Sequence, residues 1–593
     1  MTSSLPFGDR SEIRLAVYVL ALLCPPLLAY NRTPSATQLN ELLSVLGWGL
    51  CLLAANSAPT AGVRRGATLA INLALGVMGL AIVGSWTLGS LPTSLALPPL
   101  LSLVAAAFVA ALGARTAQGG ERAGLQAFAP FAFGMVGVGV VSALIAVIQV
   151  YLPSLADGSV IAQSGLPGRA VGNLRQPNHL ASLLIWAVIA LVPLVEWGRI
   201  PRWLGALAGL LLMVAVVLSG SRTGLVAGTG VLVVYALADW KLSWPTRIAL
   251  LATVVFPLGV LMWPWLTAHL PFVPHAAGAA TRLSEGDSSH FAIWRNAWEM
   301  IRQQPWLGVG WGEFNFAWTL TPFPHRPTAF FDHTHDLPLQ LVVELGWPLA
   351  LLVLGLMILA LVQGALRAWK TVGDAGLGAR AAWMMILMIA AHSLDEYPLW
   401  YCYFLLPAAW AWGFTLGSGA PAALPVPAGE ESAGSGQLIR LGSEGSALRW
   451  FGGAMVAASL FFTWDYLRVS TIFLDDAGLP PLTERIAAGE TSPLFAHHAD
   501  YADATTTEPP SKALRALSRS THSLLDSRLM MAWAVALSES GQSDRARYVV
   551  ARLREFNKED AEEFFAPCGD AALKVKPFQC EPEPTGLTWR DFR

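Results

Sequence analysis

Apolar runs of roughly 17–25 residues, each long enough to cross the hydrocarbon core of a bilayer as a helix, recur along this chain. They lie near 13–30, 39–57, 67–88, 94–114, 128–152, 178–197, 203–219, 223–239, 248–267, 336–365, 382–395, 399–417 and 448–466. About thirteen such runs point to an all-α polytopic membrane bundle, because a backbone in lipid must satisfy its own hydrogen bonds. The composition agrees: 54% of the residues are hydrophobic and 13% charged, a combination that soluble domains seldom show. The run 382–395 is short and can pair with 399–417 as a tight hairpin, and 153–177 can dip back into the membrane as a re-entrant loop.

Lys and Arg in short loops are retained in the cytoplasm. Arg10 and Arg14 precede the first run, and Arg64/Arg65, Arg115/Arg122, Arg199/Arg202, Lys241/Arg247 and Arg367/Lys370/Arg380 fall in every second loop thereafter. The N-terminus is therefore expected inside. The loops 153–177, 219–223, 268–335 and 395–399, and everything after 466, then lie on the outer face. No trustworthy small-residue cleavage site follows the first run, so it reads as a retained helix rather than a signal peptide. A net charge of −2 argues against a nucleic-acid partner.

These features divide the chain into a membrane domain 1–417 with a large outer loop 268–335, a linker 418–447, a last span 448–466 and an outer helical domain 467–593. The linker is rich in Gly, Ala, Ser and Pro and reads as flexible and cytoplasmic. In the last domain, Ser527 to Phe556 carries apolar residues at helical spacing around Gly541. That stretch resembles one tetratricopeptide-like helix pair, a generic helical tail being the alternative. Cys568 and Cys580 fall in the same outer domain, where an oxidising compartment would join them in a disulfide. Two free thiols are the other reading.

Polar residues on the expected outer face gather in a few segments. HTHDLPLQLVVELGWP, His333 to Pro348, sets His335 at the mouth of a span and places Gln340 and Glu344 about one helical turn apart on one face. Ionisable groups at membrane depth are costly and usually functional. A neutral imidazole there can take a proton from an attacking hydroxyl. Asp332, His333 and His335 also admit a metal site, which would need a further ligand and a scaffold. GNLRQPNHLA, Gly172 to Ala181, crowds Arg175, Gln176, Asn178 and His179 at a helix entrance. Arg175 there is a phosphate contact or a helix-end anchor, and Asn178 a site residue or a cap. SGSRTG, Ser219 to Gly224, holds Arg222 in a tight turn, and a guanidinium fork matches phosphate oxygens. The long outer loop holds Arg282, Arg295 and the stretch WRNAWEMIRQQPWLGVGWGEF, an amphipathic helix ended by a Pro-Gly turn, with aromatics suited to an interface or to sugar stacking. HSLDEYPLWYCYFLLP, His392 to Pro407, puts Glu396 and Tyr397 at a short outer hairpin.

The pattern His335-x4-Gln340-x3-Glu344-x-Gly346 resembles the signature of the O-antigen ligase and polymerase superfamily, as do the Pro305 to Gly310 turn and the loop before it. GNLRQPNHLA and the EYPLWY segment resemble PglL-type bacterial O-linked protein oligosaccharyltransferases, and a tail beyond the last helix suits that branch. Asp336 departs from the Asn often found after the motif His.

The resemblance implies transfer of an oligosaccharide en bloc from undecaprenyl diphosphate to Ser or Thr hydroxyls of exported, pilin-like proteins. The expected place is the periplasmic face of the bacterial inner membrane. It also implies a metal-independent inverting displacement with no cofactor. Diphosphate binding then falls to Arg175 and Arg222, with Arg282 or Arg295 as help. His335 is the general base, and Gln176, Asn178, Gln340, Glu344, Glu396 and Tyr397 shape the donor and acceptor pocket. The chain lacks a Walker-type phosphate loop, which agrees. An O-antigen ligase acting on lipid A-core, a glycan polymerase and a transporter of lipid-linked glycan are the rival readings, and a purely structural scaffold is the most distant. A transporter would be expected to spread its charged residues to both faces.

Overall fold

The computed structural model describes residues 9–55, 66–118, 121–262, 278–279, 282, 289–419 and 435–593. Among these residues every regular element is helical, β pairing being confined to one isolated bridge between Arg32 and Ser35. The chain forms two compact units. The first comprises Met1–Leu73, Val104–Glu285 and Leu356–Thr463, and the second Ala74–Leu103, Gly286–Gly355 and Trp464–Arg593.

Among the described residues, seven helices are long and apolar enough to cross a bilayer: Leu69–Thr87, Thr93–Thr116, Phe128–Tyr151, Pro177–Glu196, Arg202–Ser219, Leu337–Lys370 and Gly373–His392. They answer to seven of the expected runs. The other runs fall on the shorter apolar helices Leu15–Leu27, Gln38–Leu53, Thr223–Ala238 and Trp244–Gly259, on Cys402–Gly417, and within Ser435–Ser470. The run read as 382–395 is in fact the longer helix Gly373–His392. Arg380, taken from sequence as a loop cation, is buried inside this helix, with its Nε 2.5 Å from Asp239 Oδ2. A buried charge is tolerated there because it is paired. The stretch read as a linker, 418–447, is helical from Ser435 onward, and its residues 420–434 lie outside the described ones. So do Arg64, Arg65 and most of 263–288.

In the first unit the helix Pro177–Glu196 is buried from His179 to Leu194. It packs against Glu121–Tyr151, Arg202–Ser219 and Gly373–His392. A helix apolar on every side has to be covered on every side. Within it, Trp186 donates its indole N–H to the Met385 carbonyl at 2.8 Å. The preceding segment 152–176 is mostly irregular, and two buried amides close its backbone groups. Gln149 accepts from the Val171 and Gly172 N–H groups, both at 2.9 Å, and donates to the Ala162 carbonyl at 2.6 Å. Asn173 accepts from Ala162 N–H at 2.9 Å and donates to the Leu27 carbonyl at 2.7 Å.

In the second unit the C-terminal region folds as short helices, among them Ala496–Thr506, Ser527–Glu539 and Ser543–Phe556. The last two pack as a pair around Leu529, Trp533, Leu537, Val549 and Leu553, joined through Gly541 with φ 76°. Asp526 caps the pair's first helix, accepting from Leu529 N–H at 2.9 Å. Cys568 and Cys580 are joined by a disulfide. Asp500 is buried, with Arg519 Nη2 3.2 Å from its carboxylate. Burial pushes this carboxyl up to about 7 against the pull of Arg519. Folded Asp500 thus keeps a proton that the unfolded chain has already released, so its contribution to stability is lost as pH rises towards the folded value. Asp500→Asn is expected to flatten the fall in melting temperature between about pH 4, the ordinary carboxylate range, and about pH 7. Thermal unfolding of the purified protein in detergent at a series of pH values reads this, and an unchanged slope would refute it.

Candidate active site

The first unit presents the two arginine segments. A left-handed Gly220 (φ 61°) closes the helix Arg202–Ser219, and the Ser221 hydroxyl accepts from Gly224 N–H at 3.0 Å to start the next. Arg222, half-buried, enters that helix just before a π-helical stretch, Thr223–Gly228. Such widened turns recur at functional sites. The turn is tied down from two sides. Arg169 Nε donates to the Ser219 carbonyl at 3.0 Å and Ala170 N–H to the Leu218 carbonyl at 2.9 Å, while the Thr223 hydroxyl donates to Asp395.

Arg175 has a φ of 57°, a conformation that costs a residue with a β-carbon about 1–2 kcal/mol. Its guanidinium donates to the carbonyls of Ala29, of Ala36 at 3.4 Å and of Asn173 at 3.5 Å. Gln176, next in the chain, caps the helix Pro177–Glu196 by accepting from His179 N–H at 2.9 Å, with Pro177 at the first helical position. Asn178 is thereby released from capping, and its Nδ2 donates to Glu396 Oε1 at 3.0 Å. That bond joins GNLRQPNHLA to the Glu396–Tyr397 hairpin. Below it, His179 Nδ1 lies 3.0 Å from the Tyr403 hydroxyl, and His392 Nδ1 2.8 Å from the Ser182 hydroxyl. The Tyr401 ring stands edge-on to His179 at 4.6 Å and stacks with Tyr397 at 6.1 Å.

The second unit presents His335. It too is left-handed, φ 57°. Its ring stacks on His290 at 4.9 Å and meets Phe331 edge-on at 5.6 Å. The residues around it are pinned in sequence. Trp294, on the amphipathic helix Ser289–Gln303, donates its indole N–H to the Thr334 carbonyl at 2.8 Å. Thr334 N–H donates to Gln340 Oε1 at 2.8 Å, and the Thr334 hydroxyl to the Asp336 carbonyl at 2.9 Å. Asp336 accepts from Leu339 N–H at 2.7 Å and so caps the helix Leu337–Lys370, a role that Asn fills equally well.

Gln340 Nε2 continues to Glu344 Oε1 at 3.0 Å, and that oxygen also accepts from Gly312 N–H at 3.0 Å. Gln340 and Glu344 are both buried. Their polar atoms hold the two loops beside His335.

The helix breaks at Gly346 (φ 73°, ψ 169°), and the Pro305 to Gly310 turn is seated in the break. Val309 N–H donates to the Val343 carbonyl and Gly310 N–H to the Glu344 carbonyl, both at 2.9 Å, while Trp347 N–H donates to the Pro305 carbonyl at 2.8 Å. A β-carbon at Gly308 would lie 2.4 Å from the Glu344 carbonyl, and one at Gly346 2.3 Å from the Trp306 oxygen. The two glycine motifs are therefore two sides of one contact.

Arg295 is exposed on its helix and Arg282 half-buried. His333 Nδ1 lies 3.2 Å from Asp332 Oδ1, and among the described residues no three His, Cys, Asp or Glu side chains are grouped to hold a metal ion. The structure thus brings Gln176, Asn178, Glu396 and Tyr397 together in the first unit, and His335, Gln340 and Glu344 in the second. Sequence reading passed over Arg169, Asp395, Trp294, Asn315 and Thr334. Asp395 and Thr334 lay inside segments already singled out, and Trp294 opened one, but nothing in the pattern marked their partners.

The O-antigen ligase profile matches residues 207–354. That of the C-terminal part of the virulence factor membrane-bound polymerases matches 380–566. Each profile covers less than half of the chain, so the two matches are a likeness to the O-antigen ligase and polymerase proteins.

Residues 170–194 match the protein glycosylation ligase profile. A general O-oligosaccharyltransferase of Acinetobacter baylyi is 27% identical over 290 residues, 47% of this chain and 48% of the relative. A ComP-specific O-oligosaccharyltransferase of the same organism is 26% identical over 252 residues, 42% and 44% of the two chains. The chain thus spans about half the length of these relatives.

Gly308→Ala is expected to destabilise the protein by about 2–5 kcal/mol, the sum of a strained backbone, about 1–2, and an overpacked contact, about 1–3. Gly355→Ala is the control, since a β-carbon there meets nothing within 4 Å. Thermal unfolding in detergent compares them, and equal melting temperatures would refute the seated-turn contact.

Proposed function

We propose that this chain transfers an oligosaccharide en bloc from a polyprenyl diphosphate to Ser or Thr hydroxyls of exported, pilin-like proteins, at the periplasmic face of the bacterial inner membrane. The observation that carries the reading is His335, held in a left-handed conformation at the head of a broken span by Trp294, Thr334 and Gln340. The match to the protein glycosylation ligase profile and the likeness to O-oligosaccharyltransferases support the choice of a protein acceptor.

In the reaction the acceptor oxygen attacks the anomeric carbon of the lipid-linked sugar. His335 takes the hydroxyl proton as the new C–O bond forms. The bond from that carbon to the diphosphate oxygen breaks, and the leaving diphosphate carries away the electron pair. Arg222 and Arg175 stabilise its charge, which is what positioned guanidinium groups do best. Arg282 and Arg295 add a weaker attraction. Glu396, Asn178, Gln176 and Tyr397 contact the donor or the acceptor, and Gln340 and Glu344 hold the loop that carries His335. A single displacement inverts the anomeric centre.

Reconstitution in liposomes with a polyprenyl-diphosphate oligosaccharide tests this, the acceptors being a Ser-containing pilin-like protein and, separately, lipid A-core. Glycosylated protein, lowered about 10²–10⁴-fold in His335→Ala as for loss of a general base, is the expected result. Product of retained configuration would overturn the single displacement. Modified lipid A-core alone would make the chain a ligase of that acceptor, and transfer to neither would favour a transporter.

A further inference from the structure

The sequence alone gives the C-terminal domain no task. In the second unit, however, its residues are built into the support of the His335 loop. We infer that Asn315 is a positioning residue for His335, and that the C-terminal domain, by holding Asn315 and the segment 321–334, is a structural part of the catalytic frame. The inference rests on the reading of His335 as the base.

Asn315 is buried in the short helix Phe314–Leu320, and both ends of its amide are used. Its Oδ1 accepts from Leu525 N–H of the C-terminal domain at 3.0 Å, and its Nδ2 donates to the Phe331 carbonyl at 2.8 Å. Phe331 is the residue whose ring stands edge-on to the His335 imidazole. Its neighbour Phe330 stacks on Phe556 of the C-terminal domain at 4.2 Å.

The other end of the segment is held as firmly. The buried guanidinium of Arg326 donates to Glu555 at 2.9 Å and to the Trp318 carbonyl at 3.0 Å, and lies 4.6 Å from the centre of the Phe556 ring. The Tyr548 hydroxyl donates to the Leu320 carbonyl at 2.7 Å, and His522 Nδ1 lies 2.7 Å from the buried Glu313 carboxylate.

These contacts give His335 what its backbone demands. A left-handed conformation in a residue with a β-carbon persists only where the surroundings over-determine it. Here the loop that ends at His335 is fixed at its start through Leu320 and Arg326, and near its end through Phe330 and Phe331. Each fixing point has its partner in the C-terminal domain, directly or through Asn315. Disturbing these contacts should then lower turnover with every acceptor by the same factor and leave acceptor preference alone.

The test uses the full chain in liposomes with two unrelated Ser-containing acceptor proteins. Asn315→Ala and Phe331→Leu are each expected to lower kcat about tenfold, with KM for donor and acceptor changed by less than about twofold. Asn315→Asp, which can still accept from Leu525 but cannot donate to Phe331, is expected to resemble Asn315→Ala. Combined with His335→Ala, neither substitution should cost anything further, since residues acting through one group are not additive. Losses that add, or that differ between the two acceptors, would overturn the inference.

Hydrogen exchange of the 331–336 amides gives a readout independent of catalysis. It should quicken in Asn315→Ala, and unchanged protection would overturn the positioning claim. If His335→Ala alone retained full transfer, the base reading would fail, and the exchange result would still decide whether Asn315 orders the loop. Should Asn315→Ala fail to fold, Phe331→Leu, which removes a ring contact without orphaning a hydrogen bond, decides through the same two readouts.

Discussion

A span that breaks within its own length frees backbone groups that lipid cannot satisfy. At Gly346 those groups are met by the Pro305 to Gly310 turn, which lends two N–H groups and a carbonyl to the broken helix. The order around His335 descends from this. The seated turn brings Gly312 N–H to Glu344, Glu344 holds Gln340, and Gln340 takes the Thr334 N–H beside His335. Glu344, Gln340 and Thr334 are buried, where a polar group is costly to leave unpaired, so the contacts are firmly held at these three.

The arginines sort by what they face. Arg380 is matched to Asp239 and Arg326 to Glu555, so their charges are largely cancelled where they stand. Arg175 is held by carbonyl oxygens, those of Ala29 and Ala36. Carbonyl dipoles orient a guanidinium without neutralising it, which leaves a positive field for an anion. The diphosphate contact proposed for Arg175 rests on this electrostatic argument. The π-helical turn after Arg222 fixes the second arginine by backbone geometry.

Much of this was legible in the sequence and some of it was not. The apolar runs gave the bundle because span length is a property of local composition. Gln340 and Glu344 were visible as neighbours because helical spacing is local too, and the pair Ser527–Glu539 and Ser543–Phe556 showed through the same periodicity. The partner of Arg380 lies 141 residues away in sequence, and no pattern announces it. The reading consequently cut that helix short. Asn178 was weighed as a cap, a task that fell to Gln176, because the choice between two polar residues at a helix entrance is made by Glu396, which comes 218 residues later. The C-terminal domain was read as a separate module because its composition differs from that of the spans, and composition carries no record of docking.

Phe330, Arg326 and Asn315 stand before the broken span, while Phe556, Glu555 and Leu525 stand far beyond it, yet each set completes the other's hydrogen bonds and ring contacts. The two stretches are therefore one inheritable piece written in two places. Recombination between relatives that exchanged one stretch alone would join an aromatic to a vacancy and an arginine to no carboxylate. Chimeras between relatives would have to carry both stretches across together.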